Sequence, residues 1–255
     1  MKGTFFQKTL EFRLAVDGES WRQGTAVVGT LQVRNHGPEP IPASDLRVTL
    51  AHGTDRKVKA KAADAFKTVG QFKPESGSLV APGALSEGLG WKFTLEANAP
   101  VTDRAGSLYL LYGRGDDLAA HGHLQLKVVP QHPVEDLIEV MTTTFHFAVK
   151  HILAGKKGEV EVKFTPPDGK TYGFVEQLEL SLIDQAGDIA AEFDFLIKQI
   201  DATQPGLGFK KVSRKLERVF ARSEMVHGFN GRLNKDAAEA ALRGVLDELQ
   251  KSKQV

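Results

Sequence analysis

Apolar side chains recur at every second residue along most of this chain, and that spacing restricts the folds open to it more than any other feature. Leu10, Phe12, Leu14 and Val16 alternate with Glu11, Arg13 and Ala15. The same step runs through Val27, Gly29, Leu31 and Val33, through Leu46, Val48 and Leu50, and through Leu89, Trp91, Phe93 and Leu95. It returns in Leu108, Leu110 and Tyr112 and again in Leu124, Leu126 and Val128. Successive side chains of a strand point to opposite faces, so alternation hides one face and wets the other. Asp17-Gly18, the stretch Asn35 to Pro38, Ala81-Pro82-Gly83 and Gly113-Arg114-Gly115 supply turn chemistry between the runs. Short strands without helical stretches between them predict an antiparallel sandwich instead of a βαβ repeat. Thr54 to Glu87 is weaker, with only Val58, Phe66, Val69 and Phe72 to bury, and reads as a poor strand or two inside a long mobile connection.

Pro130-Gln131-His132-Pro133 opposes both a helix and a central strand and marks the domain boundary. Alternation then resumes in Phe145, Phe147 and Val149, in Val160, Val162 and Phe164, in Leu178, Leu180 and Leu182, and from Ile189 to Ile197. From Phe209 the spacing turns helical. Val212, Leu216, Val219 and Phe220 form one stripe, and after a break at Gly228 to Gly231 Asn234 is the expected N-cap of a second helix. Ala238, Ala241, Leu242, Val245, Leu246 and Leu249 line that helix's apolar face, and burying its four larger aliphatics gains roughly 6–12 kcal/mol. The expected chain is therefore all-β: two consecutive antiparallel, immunoglobulin-like β-sandwiches over 1–130 and 134–205, then a helical tail over 206–255.

Composition narrows function by exclusion. The 255 residues carry 33 basic and 32 acidic side chains, a net charge of +1, so no global field steers nucleic acid to the chain. With no cysteine there are no disulfides, thiolate metal sites or cysteine nucleophiles. Met1 to Val16 is interrupted by Lys2, Lys8, Glu11 and Arg13, unlike a secretion signal, and no apolar run reaches membrane-span length. A cytoplasmic protein is the expectation.

Several segments resemble the arrestin superfamily. Gly24 to Val33 looks like its second strand, a glycine turn followed by hydrophobics around a mid-strand Gly29. Trp91 to Leu95, the loop ending near Pro100, and Ser107 to Tyr112 look like later strands. Val175 to Leu182 is similar to the acidic strand of the bacterial sporulation-control branch, and Asp201 with Gly206-Leu207 matches its closing motif, with Ala202 to Pro205 where arginines usually stand. The resemblance spans about Leu10 to Gly208 and implies two sandwiches acting as a scaffold or adaptor, without catalysis and without a cofactor. It transfers no partner-contacting residue.

Candidate chemistry is sparse. His121 and His123, two apart, share a strand face and supply two ligands of a zinc site whose third ligand has no recognisable offset, the basis of a remote metallohydrolase reading. Arg114-Gly115-Asp116 reads as a hairpin turn, Gly169-Lys170-Thr171 lacks the first glycine and the helix of a phosphate loop, and Glu192 with Asp194 reads as a water-facing pair. No nucleophile elbow or HExxH occurs.

The strongest charge feature is the predicted basic helix over 209–222, where Lys210, Lys211, Arg214, Lys215, Arg218 and Arg222 stand against Glu217 alone. It suits an acidic protein partner or an anionic membrane, and nucleic acid less well. The Leu242/Val245/Leu246/Leu249 stripe either docks on this chain or forms a homodimer. The expected function is a non-catalytic adaptor that pairs exposed strand edges with a protein partner.

Overall fold

The computed structural model describes residues 1–75, 79–169, 171–201, 208–225, 227 and 234–251. The chain divides into two compact units, Met1–Val129 and Pro130–Val255.

In the first unit the alternating runs become strands. Lys2–Gln7 (β1), Leu10–Val16 (β2), Trp21–Arg22 (β3), Ala26–Asn35 (β4), Ile41–Pro42 (β5) and Leu46–Thr54 (β6) come first. A short helix, Asp55–Lys59 (α1), precedes Phe66–Phe72 (β7), Leu79–Val80 (β8), Leu89–Thr94 (β9), Gly106–Arg114 (β10), Gly122–Gln125 (β11) and Val128–Val129 (β12). One antiparallel sheet runs β1-β2-β4-β9 and another β11-β10-β6-β7, with small ribbons β5-β8 and β12-β3. The inward residues of these strands, among them Phe12, Leu14, Leu31, Val48, Trp91, Leu108 and Leu110, form one core cluster, as expected where two sheets share an apolar interior.

The stretch Thr54 to Glu87 is more regular than its composition predicts. α1 and β7 occupy it, and β7 pairs with β6 across Gly53↔Phe66 to Val48↔Phe72. β7 is an edge strand whose side chains are exposed or half-buried, so its alternation is faint. β10, in contrast, is buried on both faces. Tyr109 packs edge-on against Phe66, with ring centroids 5.4 Å apart, and its hydroxyl donates to Asp55 Oδ1 at 3.0 Å.

The second unit opens with a helix, His132–Thr143 (α2), where the two prolines predicted a stop. Pro133 falls in the first turn, where a missing N–H removes no intrahelical bond. Ala148–Ala154 (β13), Val160–Thr165 (β14), Val175–Gln185 (β15), Asp188–Asp201 (β16) and Gly208–Phe220 (β17) then form one five-stranded antiparallel meander in chain order. Arg222–Met225 (α3) and Lys235–Lys251 (α4) follow. The inward alternation of β14 to β16, from Val160 to Ile197, is buried. α2 buries Val134, Leu137, Ile138, Val140 and Met141, contacts α4, and α4 contacts β17.

Two expectations are thereby corrected. Among the described residues the second unit holds a single sheet accompanied by helices, not two sheets. The predicted basic helix over 209–222 is the strand β17, Gly208–Phe220, with Arg222 opening α3. Val212, Leu216 and Phe220 stand four apart, a spacing that shares a face in a helix and equally in a strand, so it does not discriminate. What decides is β16, a 14-residue strand that needs a partner along its length and pairs with β17 from Ile189↔Phe220 to Asp201↔Gly208. The second predicted helix is present: Asn234 Oδ1 accepts from the Ala237 N–H at 3.3 Å at the start of α4. Lys170, Gly206-Leu207 and Gly228 to Gly231 lie outside the described residues. Among the described residues no helix is long and apolar enough to cross a membrane.

Candidate functional site

Among the described residues β17 is the last strand of its sheet, bonded to β16 alone. On one face Lys210, Val212, Arg214, Leu216, Arg218 and Phe220 follow one another, opposite Gln199, Ile197, Phe195, Phe193, Ala191 and Ile189. This is the apolar face, and Phe193, Phe195 and Ile197 are buried there. Long cationic side chains are tolerated on that face because an edge strand lets their stems lie on apolar surface while their heads reach water.

The other face carries Lys211, Ser213, Lys215 and Glu217, and here the charges are paired. Lys211 Nζ lies 2.7 Å from Glu176, which Lys198 also approaches at 3.4 Å, and the Lys211 hydrogen bond holds the Glu176 carboxyl below its ordinary pKa. Lys215 bonds Glu192 and stands 3.9 Å from Asp194, while Ser213 Oγ donates to Asp194 at 2.6 Å. The Glu192 hydrogen bond raises the Lys215 pKa. Glu192 and Asp194 thus serve as partners of β17 on the outer face, not as a desolvated acid/base pair. Arg218 pairs with Glu248 of α4, and the Arg222 backbone N–H donates to Asp188 Oδ1 at 2.9 Å.

Lys210 and Arg214 differ. Both are exposed, and neither has an ion-pair partner among the described residues. With Phe209 at 67% and Val219 at 64% exposure, they leave β17 an accessible cationic edge. Sequence reasoning found the six cations but missed Glu176, Glu192, Asp194 and Glu248 as their internal partners. The signal was present in the alternating charges of 176–194, which become legible only once β17 is read as a strand.

The other predicted residues fall elsewhere. Leu242, Val245, Leu246 and Leu249 are each at most 2% exposed, so α4 docks its stripe within this chain and presents none of it to a second copy. His121 precedes β11 and is buried, with Nε2 donating to the Gly115 carbonyl at 3.2 Å. His123 is exposed and packs near Phe66 and Tyr109. Among the described residues no group of three potential metal-binding side chains converges on either imidazole. Asp117 caps a short turn by accepting from the Ala119 N–H at 3.1 Å, and Gly115 has φ +82°, the turn predicted there.

No protein-family model matches the chain, and no curated protein sequence does. Among solved structures, Spo0M, the sporulation control protein of Bacillus subtilis, is similar with a TM-score of 0.65 at 15% identity, covering 94% of this chain and 98% of that one. The fold is arrestin-like, as the strand order of motifs predicts. The alkylpurine DNA glycosylase AlkC of Pseudomonas fluorescens, bound to DNA containing an abasic-site analogue, matches at a TM-score of 0.30 and 12% identity over 48% of this chain and 30% of its own, too slight to argue from.

Proposed function

We propose that this chain is a non-catalytic cytoplasmic adaptor whose β17 edge takes up an extended acidic segment of a protein partner as an added strand. The observation that supports this most directly is a 13-residue strand, Gly208–Phe220, at the edge of its sheet with Lys210 and Arg214 unpaired among the described residues. Strand addition draws affinity from main-chain hydrogen bonds and specificity from alternate side chains. Here those side chains are cations, so carboxylates on one face of an incoming strand fit. Likeness to a sporulation control protein supports a regulatory setting over a catalytic one.

An extended peptide alternating glutamate with threonine, titrated into the full chain and followed by backbone amide NMR, tests the reading. Saturable shifts confined to 209–219, weakening as salt rises and abolished in the Lys210→Glu/Arg214→Glu variant, are expected. Shifts elsewhere, or binding indifferent to the double reversal, overturn it. So does tighter capture by anionic vesicles than by the peptide. With the basic stretch a strand, no amphipathic helix remains there to lie in a membrane surface.

A further inference from the structure

The first unit contains a cavity of about 470 Å³ that the β17 reading does not use. It lies between the segment following α1, the start of β7 and the turn that leads into β11, with β1 and β10 behind it. Its volume falls within the usual range for small-molecule sites, roughly 300–1,000 Å³. Five ring-bearing side chains line it: Phe5 and Tyr112, edge to face with centroids 6.2 Å apart, Phe66 and His123, tilted at 5.7 Å, and His121. Aromatic walls of this kind favour a flat ring, because offset and edge-on contacts are the preferred arrangements.

One wall residue carries a buried polar atom with nothing to bond. His121 is 5% exposed, and its Nδ1 is buried without a partner. Buried polar atoms are nearly always paired in folded proteins, so an orphan on the cavity wall needs an explanation. Tyr112 brings a hydroxyl to the same wall. Burial raises the Tyr112 pKa and lowers that of His121, so both are neutral near pH 7 and bring no charge to the cavity. The charge comes from Lys61, which also lines the cavity, is exposed, and has no carboxylate partner among the described residues. Its left-handed backbone, φ +50°, fixes the turn that sets it there.

We infer that this cavity binds a small planar aromatic molecule bearing one anionic group, its ring against the aromatic side chains of the wall, its anion toward the Lys61 ammonium, and the Tyr112 hydroxyl donating to it. A neutral aromatic satisfies the walls but not Lys61. A small inorganic anion satisfies Lys61 and leaves the apolar walls wet. The edge of β17 belongs to the other unit and enters none of this.

The test uses the full chain, with 2-naphthoate as probe and 2-naphthalenemethanol as its uncharged counterpart, followed by amide and aromatic NMR shifts. Saturable binding of naphthoate with a Kd of about 1 mM or tighter is expected, with shifts at Phe66, Ala119, Ala120 and His123 and at least threefold weaker binding of the alcohol. Lys61→Gln should remove that preference without changing the melting temperature. Ala120→Phe, a substitution at an exposed position on the cavity wall, should abolish binding of both probes while the fold persists. No saturable shift up to about 5 mM overturns the inference, as does naphthoate binding that survives Ala120→Phe or that shows no preference over the alcohol.

Discussion

Gly29→Ala is a single-methyl change whose cost can be worked from contacts. Gly29 lies on the buried face of β4, opposite Val16 of β2 and Trp91 of β9. A Cβ there would stand 2.1 Å from the Ala15 carbonyl oxygen and 2.5 Å from Cζ2 of Trp91. Non-bonded carbon atoms prefer about 3.5–4.0 Å, so the indole must retreat by roughly 1 Å, and it is only 3% exposed within the core. The carbonyl is backbone and cannot rotate away. Overpacking a core costs about 1–3 kcal/mol, and a clash against both ring and backbone belongs at the upper end, partly offset by the ~0.5 kcal/mol an alanine gains by restricting the unfolded chain. A net loss of about 2–3 kcal/mol should lower the unit's Tm by about 6–12 °C. Both tryptophans of the chain, Trp21 and Trp91, belong to the first unit, so intrinsic fluorescence reports that unit's unfolding. In a Trp91→Leu background, with Trp21 as reporter, most of the penalty should persist because the carbonyl clash remains. A Gly29→Ala protein melting within about 2 °C of its parent would refute the steric account of this glycine.

Other consequences are more local. Asn35, fully buried, donates from Nδ2 to the carbonyls of Glu39 at 2.7 Å and Val80 at 3.1 Å and accepts from the Gly37 N–H at 2.9 Å. Asn35→Ala should cost about 2–4 kcal/mol in urea unfolding and raise hydrogen exchange at 36–42, whereas unchanged exchange would show that the loop holds itself. Hydrogen bonds from Arg13 and His36 hold the Glu11 carboxyl below its ordinary value of 4.5. A depressed carboxyl contributes stability above its unfolded pKa and loses it as pH falls through the folded one. Glu11→Gln should therefore lower the first unit's stability above about pH 4.5, flatten its acid limb below that and leave the slope between pH 8 and 9 unchanged, and an unaltered acid limb would count against it. In the second unit, Leu242→Ala should cost about 2–5 kcal/mol by circular dichroism melting, while Glu248→Gln, which breaks the exposed Arg218 pair, should cost about 0–1 kcal/mol.

Legibility in the sequence followed burial. Strands with one buried face, such as β2 and β4, print their period directly, and their inward residues are those the alternation names. β10 was legible from half its burial: Leu108, Leu110 and Tyr112 face the core cluster, whereas burial of Tyr109 and Leu111 depends on elements distant in sequence. α2 was hidden by punctuation, since Pro133 reads as a stop unless it is placed in a first turn, and Val134, Leu137, Ile138 and Met141 already carry the helical step. The cavity was illegible because Phe5, Phe66 and Tyr112 come from β1, β7 and β10, and no local pattern relates them.

The misreading of β17 also changes what its charges mean. On a helix, six cations spread around a cylinder, and an apolar stripe can turn them toward any anionic surface. On an edge strand they are divided between two faces at fixed spacing beside unpaired main-chain groups, and long edges of that kind tend to pair with their own copies unless something prevents it. An antiparallel copy of β17 centred on Arg214 would set Arg214 against Arg214 and Lys210 against Arg218 on one face. On the other face it would set Lys211 against Glu217 and Ser213 against Lys215, so that two favourable Lys211–Glu217 pairs stand against two Lys210–Arg218 pairs and one Arg214–Arg214 pair. Like charges directly opposite across strands are destabilising. The internal carboxylates relieve the pattern only in part: Glu176, Glu192 and Asp194 serve Lys211 and Lys215 on the outer face and Glu248 serves Arg218 on the inner one, while Lys210 and Arg214 have no carboxylate among the described residues. On the proposed reading, the charges that would turn away a second copy would also favour an incoming strand with carboxylates at alternate positions on that same inner face, and the two effects could not be separated by mutation: whatever neutralises Lys210 and Arg214 would weaken such a partner and remove the guard together.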